Sequence, residues 1–167
     1  FDYVWNSNPG ITINSIIDVH SRLLKNIDDR TGSFRMHNVK VFGADFDTTD
    51  AKYVFTDMKI LLRWYGKNKN KLHPIVLAAI FHEKFERIHP FYDGNGRTGR
   101  MLINIILLGN KLPPLIIKNN TRKEYYRALS EGHKTLMTKI QKEHQAIVML
   151  CYNQLLDTYA KIFSKWG

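Results

Sequence analysis

A chain of 167 residues with 44% hydrophobic and 12% aromatic content can build one substantial core, and its length points to a single domain. The longest apolar run, Met101 to Leu108, is broken by Asn104 and falls far short of the ~20 residues a membrane helix needs, so no membrane span is expected. The net charge of +10 attracts polyanions, but the lysines are scattered from Lys59 to Lys142 without interleaved aromatic residues, so a basic nucleic-acid-binding module is the weaker alternative to an enzyme.

Phe1 to Asn6 show no basic-then-apolar secretory pattern, and a start on Phe suggests a processed chain or a fragment of a longer one. The lone Cys151 excludes an internal disulfide and suits a buried thiol in a reducing, cytoplasmic setting. Ile11 to Asn26 places Ile13, Ile16, Ile17, Leu23 and Leu24 on a helical period behind Thr12 as N-cap. After the turn formers Asp28 to Gly32, the runs Ser33–Met36 and Val39–Phe42 alternate around His37-Asn38 and predict a small β-hairpin. Too short to stand alone, it must lie on the helical body, as a surface excursion or as a flap.

A second helix starts at Thr48 or Thr49, carries Val54, Met58, Leu61, Leu62 and Tyr65 on one face, and has Gly66 as its stop. Pro74 suits the first turn of a third, apolar on most sides, which must end near His89 because the residue before Pro90 avoids the α region. The helix from about Gly96 to Leu108 is apolar nearly all round, as at the centre of a bundle. Past Pro113-Pro114, Thr121 and Glu124 form a capping-box pattern for a helix through Tyr125, Tyr126 and Leu129 that Gly132 interrupts. Lys134 to Trp166 reads as one or two further helices. The expected architecture is one all-α domain over 1–167, with a core of about 12–130, C-terminal helices of about 134–165, and a hairpin as decoration.

Between the third and fourth helices lies His89-Pro90-Phe91-Tyr92-Asp93-Gly94-Asn95-Gly96-Arg97-Thr98-Gly99-Arg100. Gly94 and Gly96 stand where a loop enters a helix N-terminus, so backbone N–H groups and the helix dipole can cradle phosphate. Arg97 and Arg100 fall on one face of the first turn and can grip the same polyanion. Asp93 beside phosphates is best explained as a Mg²⁺ ligand. His89 can take a proton near neutral pH and activate a hydroxyl. Phe91 reads as an apolar anchor. Singly each residue has a structural explanation, but an interhelical turn needs neither two arginines nor a histidine. A zinc hydrolase is less well supported, since His82-Glu83 lacks the second histidine of an H-E-x-x-H site.

The order His-x-Phe-x-Asp-Gly-Asn-Gly-Arg-x-x-Arg from His89 to Arg100 resembles the full signature of the Fic family of nucleotidyl transferases, and the likeness runs from about Ile13 to Leu129. The resemblance implies a Fic-type helical bundle with a β-hairpin flap, and Mg²⁺-dependent transfer of AMP from ATP to a Ser, Thr or Tyr hydroxyl of a target protein. It implies His89 as general base, Asp93 as Mg²⁺ ligand, Asn95 with the backbone of Gly94 and Gly96 on the α-phosphate region, and Arg97 and Arg100 on the β- and γ-phosphates. Tyr126 would line the adenosine pocket, whereas His133 stands where many relatives have Asn. The flap residues Gly32, Ser33, Phe34, Arg35 and Val39 would pair with an extended target segment. Retention of both motif glycines favours AMP transfer; removal of AMP, or use of another nucleotide, is the alternative within the fold. No S/T-x-x-x-E-G/N inhibitory pattern occurs from Phe1 to Gly167, so an inhibitor is expected on a separate segment or on an antitoxin-like partner in trans.

Overall fold

The structure is a computed structural model and describes residues 9–41, 47–134 and 144–164. Its helices are α1 (Ile13–Leu24), α2 (Val54–Asn68), α3 (Pro74–Ile88), α4 (Asn95–Gly109), α5 (Arg122–Lys134) and α6 (Gln145–Phe163), with short 3-10 turns before α2 and α5. α3 is the central rod. It packs along α4 and also touches α2, α5 and α6, while α1 lies on α4. The reason is compositional: Ile75, Leu77, Ala78, Ala79, Phe81, Phe85 and Ile88 point in several directions around α3 and are all buried.

Local chemistry sets most helix ends. Thr12 accepts from the Ser15 amide at 3.1 Å while the Ser15 hydroxyl accepts from the Thr12 amide at 2.9 Å, a closed capping box. Pro74 opens α3, with His73 as N-cap. Gly66 does not stop α2: it lies inside the helix, which continues until the Lys69 amide bonds the Tyr65 carbonyl at 2.9 Å. An exposed glycine costs a helix only about 1 kcal/mol, too little to end it where the flanking turns pack. Gly132 likewise lies within α5, where a Cβ would meet the Glu83 carboxylate at 2.2 Å, so it marks a close helix contact. Thr121 donates to the Lys118 carbonyl at 2.8 Å within a 3-10 turn, and no capping-box bond with Glu124 accompanies it among the described residues.

The predicted hairpin is absent: no strand forms among the described residues, and Phe42 lies outside them. Residues 33–41 form an irregular strap because their polar groups are bonded to other parts of the chain. The Arg35 amide donates to the Pro90 carbonyl (2.9 Å) and the Met36 amide to the Tyr92 hydroxyl (2.9 Å). Asn38 Oδ1 accepts from the Ala51 amide (2.7 Å), and the Thr48 hydroxyl donates to the Val39 carbonyl (2.9 Å). A two-stranded ladder would need several of the same backbone groups.

Arg35 fixes this strap. Its side chain is 1% exposed and donates from Nε to the His89 carbonyl at 2.7 Å, from Nη1 to that of His37 at 2.9 Å, and from Nη2 to those of Ile88 at 3.3 Å and Thr49. Ile88 and His89 stand at the C-terminus of α3, where helical carbonyls lack intrahelical donors. Of the flap residues expected to pair with a target, Arg35 faces inward and caps α3. Replacing Arg35 with Met should therefore lower unfolding free energy in urea by about 3 kcal/mol, because carbonyls remain buried without donors; a loss below about 1 kcal/mol would contradict this role.

Candidate active site

α3 ends at His89 in the left-handed region (φ 51, ψ 59), with its amide bonded to the Phe85 carbonyl at 2.9 Å. This turns the chain into the loop that enters α4 at Asn95. Gly94 is also left-handed (φ 76), and a Cβ there would lie 2.6 Å from Leu24 Cδ1 on α1, so glycine is required on both counts. Phe91 is fully buried and stacks on the His20 ring with centroids 3.6 Å apart. The sequence reading missed His20, although a histidine four residues from both Ile16 and Leu24 falls on the buried stripe of α1. Its Nε2 lies 3.1 Å from the Asp93 carbonyl, which can only accept; the ring therefore donates there, and its Nδ1 faces the Gly32 amide at 3.5 Å.

Two phosphate-site expectations change. Asn95 is 2% exposed, accepts from the Phe91 amide at 2.9 Å and donates to the Phe91 carbonyl at 2.8 Å. Its carboxamide closes the loop on itself and does not project toward a ligand. The Gly94 amide donates to Asp93 Oδ1 at 2.6 Å. Among the described residues, the first-turn amides of α4 at Asn95, Gly96 and Arg97 have no acceptor four residues back within the helix and are available to an anion.

The charged side chains are laid out around this turn. Asp93 is exposed and pairs through Oδ2 with Arg97 Nη2 at 2.9 Å. Arg100 is half-buried, and no carboxylate lies within 4.0 Å of its guanidinium among the described residues. His89 Nδ1 lies 3.2 Å from the Glu86 carbonyl. Burial above all, opposed by that carbonyl and reinforced by the Arg35 charge, pushes the His89 pKa down to about 4, so the ring is neutral at pH 7.

Of the expected flap residues, Phe34 packs on Phe91 with centroids 5.5 Å apart, Val39 is half-buried, Ser33 is exposed, and Gly32 is left-handed beneath Ser21. The Arg35 and Met36 amides are already bonded and cannot pair with a target strand as they stand. Tyr126 is half-buried, edge-on to Tyr125 at 5.4 Å, with Arg122 over its ring at 5.6 Å. The side chain of His133 lies outside the described residues.

Burial lowers the pKa of His20 and takes His82 to about 3, while it raises Glu86 to about 7. Between pH 7 and 5 the unfolded chain gains protons on His82 and His89 that the folded chain refuses, and His20 shifts in the same direction, so folding stability is lost as pH falls. Glu86 acts oppositely, since the folded state binds its proton first. Three groups outweigh one, and the melting temperature should fall from pH 7 to pH 5. A rise over that interval would refute the burial of these rings.

The sequence profile of the Fic/DOC family matches residues 10–107. Protein adenylyltransferase fic-1 of Caenorhabditis elegans is 37% identical over 120 residues, which are 71% of this chain and 23% of that protein. Protein adenylyltransferase Fic of Nematostella vectensis is 34% identical over 151 residues, 89% of this chain and 34% of that protein. Among solved structures, a Fic-domain-containing signaling protein from Bacteroides thetaiotaomicron superposes with TM-score 0.80 at 22% identity, over 93% of this chain and 63% of the other. A C. elegans Fic-1 structure superposes with TM-score 0.75 at 27% identity, over 97% and 49%. The chain thus spans a quarter to a third of the length of the two adenylyltransferases.

Proposed function

The chain belongs to the Fic/DOC family, and from that premise we propose that it transfers AMP from ATP to a Ser, Thr or Tyr hydroxyl of a target protein. The observation that carries the proposal is a histidine kept neutral, His89, one short loop away from a helix N-terminus with open amides and two arginines. His89 Nε2 would take the hydroxyl proton, the oxygen would bond to the α-phosphorus, and the bond to pyrophosphate would break, conserving atoms and charge. The amides of Gly96 and Arg97 and the positive end of α4 would hold phosphate oxygens, and Arg97 and Arg100 the outer phosphates. The names of the relatives, adenylyltransferases at 34% and 37% identity, support the same reaction.

Mg²⁺ fits the donor set. It takes one or two carboxylates and completes its shell with phosphate oxygens and water, and Asp93 offers one exposed carboxylate beside the phosphate-binding turn. Bound there, it would neutralise phosphate charge. Tyr126 is proposed as a wall for adenosine. The target would lie over the exposed strap residues Ser33 and Met36, next to the His89 loop that Arg35 holds in place. An inhibitory carboxylate for Arg100 would come from another segment or a partner. No described helix is long and apolar enough to cross a membrane, and the buried Cys151 suits a reducing cytoplasm.

The test is incubation with Mg²⁺, a panel of candidate target proteins, and ATP labelled at the α or the γ phosphate. Protein label should come from the α position alone; label from γ alone would indicate a kinase and refute the proposal. His89→Ala should slow transfer by about 10²- to 10⁴-fold while nucleotide binding changes little.

A further inference from the structure

Glu86 lies one helical turn before His89 on α3, with its side chain 7% exposed. Its Oε2 stands 3.7 Å from His89 Nδ1, behind the 3.2 Å contact of that nitrogen with the Glu86 carbonyl. A carbonyl only accepts, so the proton of the neutral ring belongs on Nδ1, and Nε2 keeps its lone pair. The other carboxylate oxygen, Oε1, is buried without a hydrogen-bond partner among the described residues. A carboxyl group with a buried oxygen left unpaired in a protein interior is costly, and among the described residues no cation on another helix lies within ion-pair distance of Glu86.

The fold makes room for this group. A Cβ on Gly99 would fall 2.8 Å from Glu86 Oε1 and 2.6 Å from His82 Nδ1, so the motif's last glycine lets α4 press against both. The groups facing Glu86 are His82 and His89 from α3, Arg100 from α4 and Tyr125 from α5. His82 bonds the Tyr125 hydroxyl through Nε2 at 2.8 Å, and burial holds both in their neutral forms. Arg100 is the cation whose charge Glu86 feels from α4, so the carboxylate neighbours both the arginine assigned to the outer phosphate and the ring assigned as base.

We propose that the Glu86 carboxylate is a positioning group for His89: the Glu86 carbonyl holds the imidazole in its Nδ1–H form, and the carboxylate 3.7 Å from that nitrogen stabilises the imidazolium that arises when Nε2 takes the target's hydroxyl proton. The source of that proton rests on the adenylyl-transfer reading. The proton moves from the hydroxyl oxygen to Nε2 and the Nδ1 proton stays on the ring, so no further acceptor is required. Burial pushes Glu86 up to about 7, which places the helpful negative charge at and above neutral pH.

Two measurements test this. In the wild-type protein with ¹⁵N-labelled histidine, long-range nitrogen–proton correlation at pH 7.5 (about 1 unit above the free imidazole pKa) should show the Nδ1–H form of His89; a dominant Nε2–H form would overturn the proposal whether or not transfer is detected. Glu86→Gln should slow transfer at least about tenfold, leave the affinity for a fluorescent ATP analogue within about twofold, and move the His89 titration to lower pH. A variant that is folded by circular dichroism, with unchanged transfer rate and unchanged His89 titration, would also overturn it. If Glu86→Gln fails to fold, Glu86→Asp takes its place, and a folded Asp variant with unchanged transfer rate and unchanged His89 titration would overturn the proposal. A wild-type protein that transfers nothing counts against the reaction, and a lowered His89 titration in Glu86→Gln would then still support the pairing.

Discussion

A guanidinium with 1% exposure can remain charged inside a protein only when oxygen atoms surround it, and the carbonyls around Arg35 belong to Ile88, His89, His37 and Thr49. Those residues are the end of α3, the candidate base, the strap and the approach to α2. One side chain thereby fixes where the central helix stops and where the chain turns at His89. The left-handed backbone of His89, unusual for a residue with a side chain, is held by this bonding, while the following proline disfavours continuing α3.

Downstream of His89 the loop is held from outside by α1 and from inside by its own amide. His20 stacks on Phe91 and bonds the Asp93 carbonyl, Leu24 fills the space over Gly94, and Asn95 closes a ring with the Phe91 backbone. These contacts leave the first amides of α4 without acceptors in the helix, with Asp93 exposed and Arg97 and Arg100 half-buried beside them. The electrostatic division follows from burial. The positive helix end and exposed charges suit a polyanion, while the desolvated ring of His89 stays neutral and able to accept a proton.

The helical frame was legible because it obeys local rules: the Thr12 cap, Pro74 at a first turn, and the all-round apolar faces of α3 and α4 depend on neighbours in sequence. The motif's types and order were legible for the same reason. What the sequence hid were tertiary partnerships. Asn95 within the Gly94–Gly96 stretch suggests a ligand contact, yet its carboxamide is used on Phe91 four residues away. The alternation around His37-Asn38 suggests a hairpin, but the amides of Arg35 and Met36 bond to Pro90 and Tyr92, more than fifty residues distant. Gly132 resembles a helix breaker until the Glu83 carboxylate is seen occupying the space of its missing side chain. Glu86 carried no local sign at all, since only the Gly99 contact and the His89 ring give it meaning.

Arg35, His20 and Asn95 shape the motif loop before any nucleotide arrives, and native-state amide hydrogen exchange on the nucleotide-free protein reads this out. The Phe91 amide, bonded to Asn95, and the Arg35 amide, bonded to Pro90, should exchange as slowly as buried amides of α3. Rapid exchange at both, slowed only when ATP is added, would show instead that the nucleotide builds the loop.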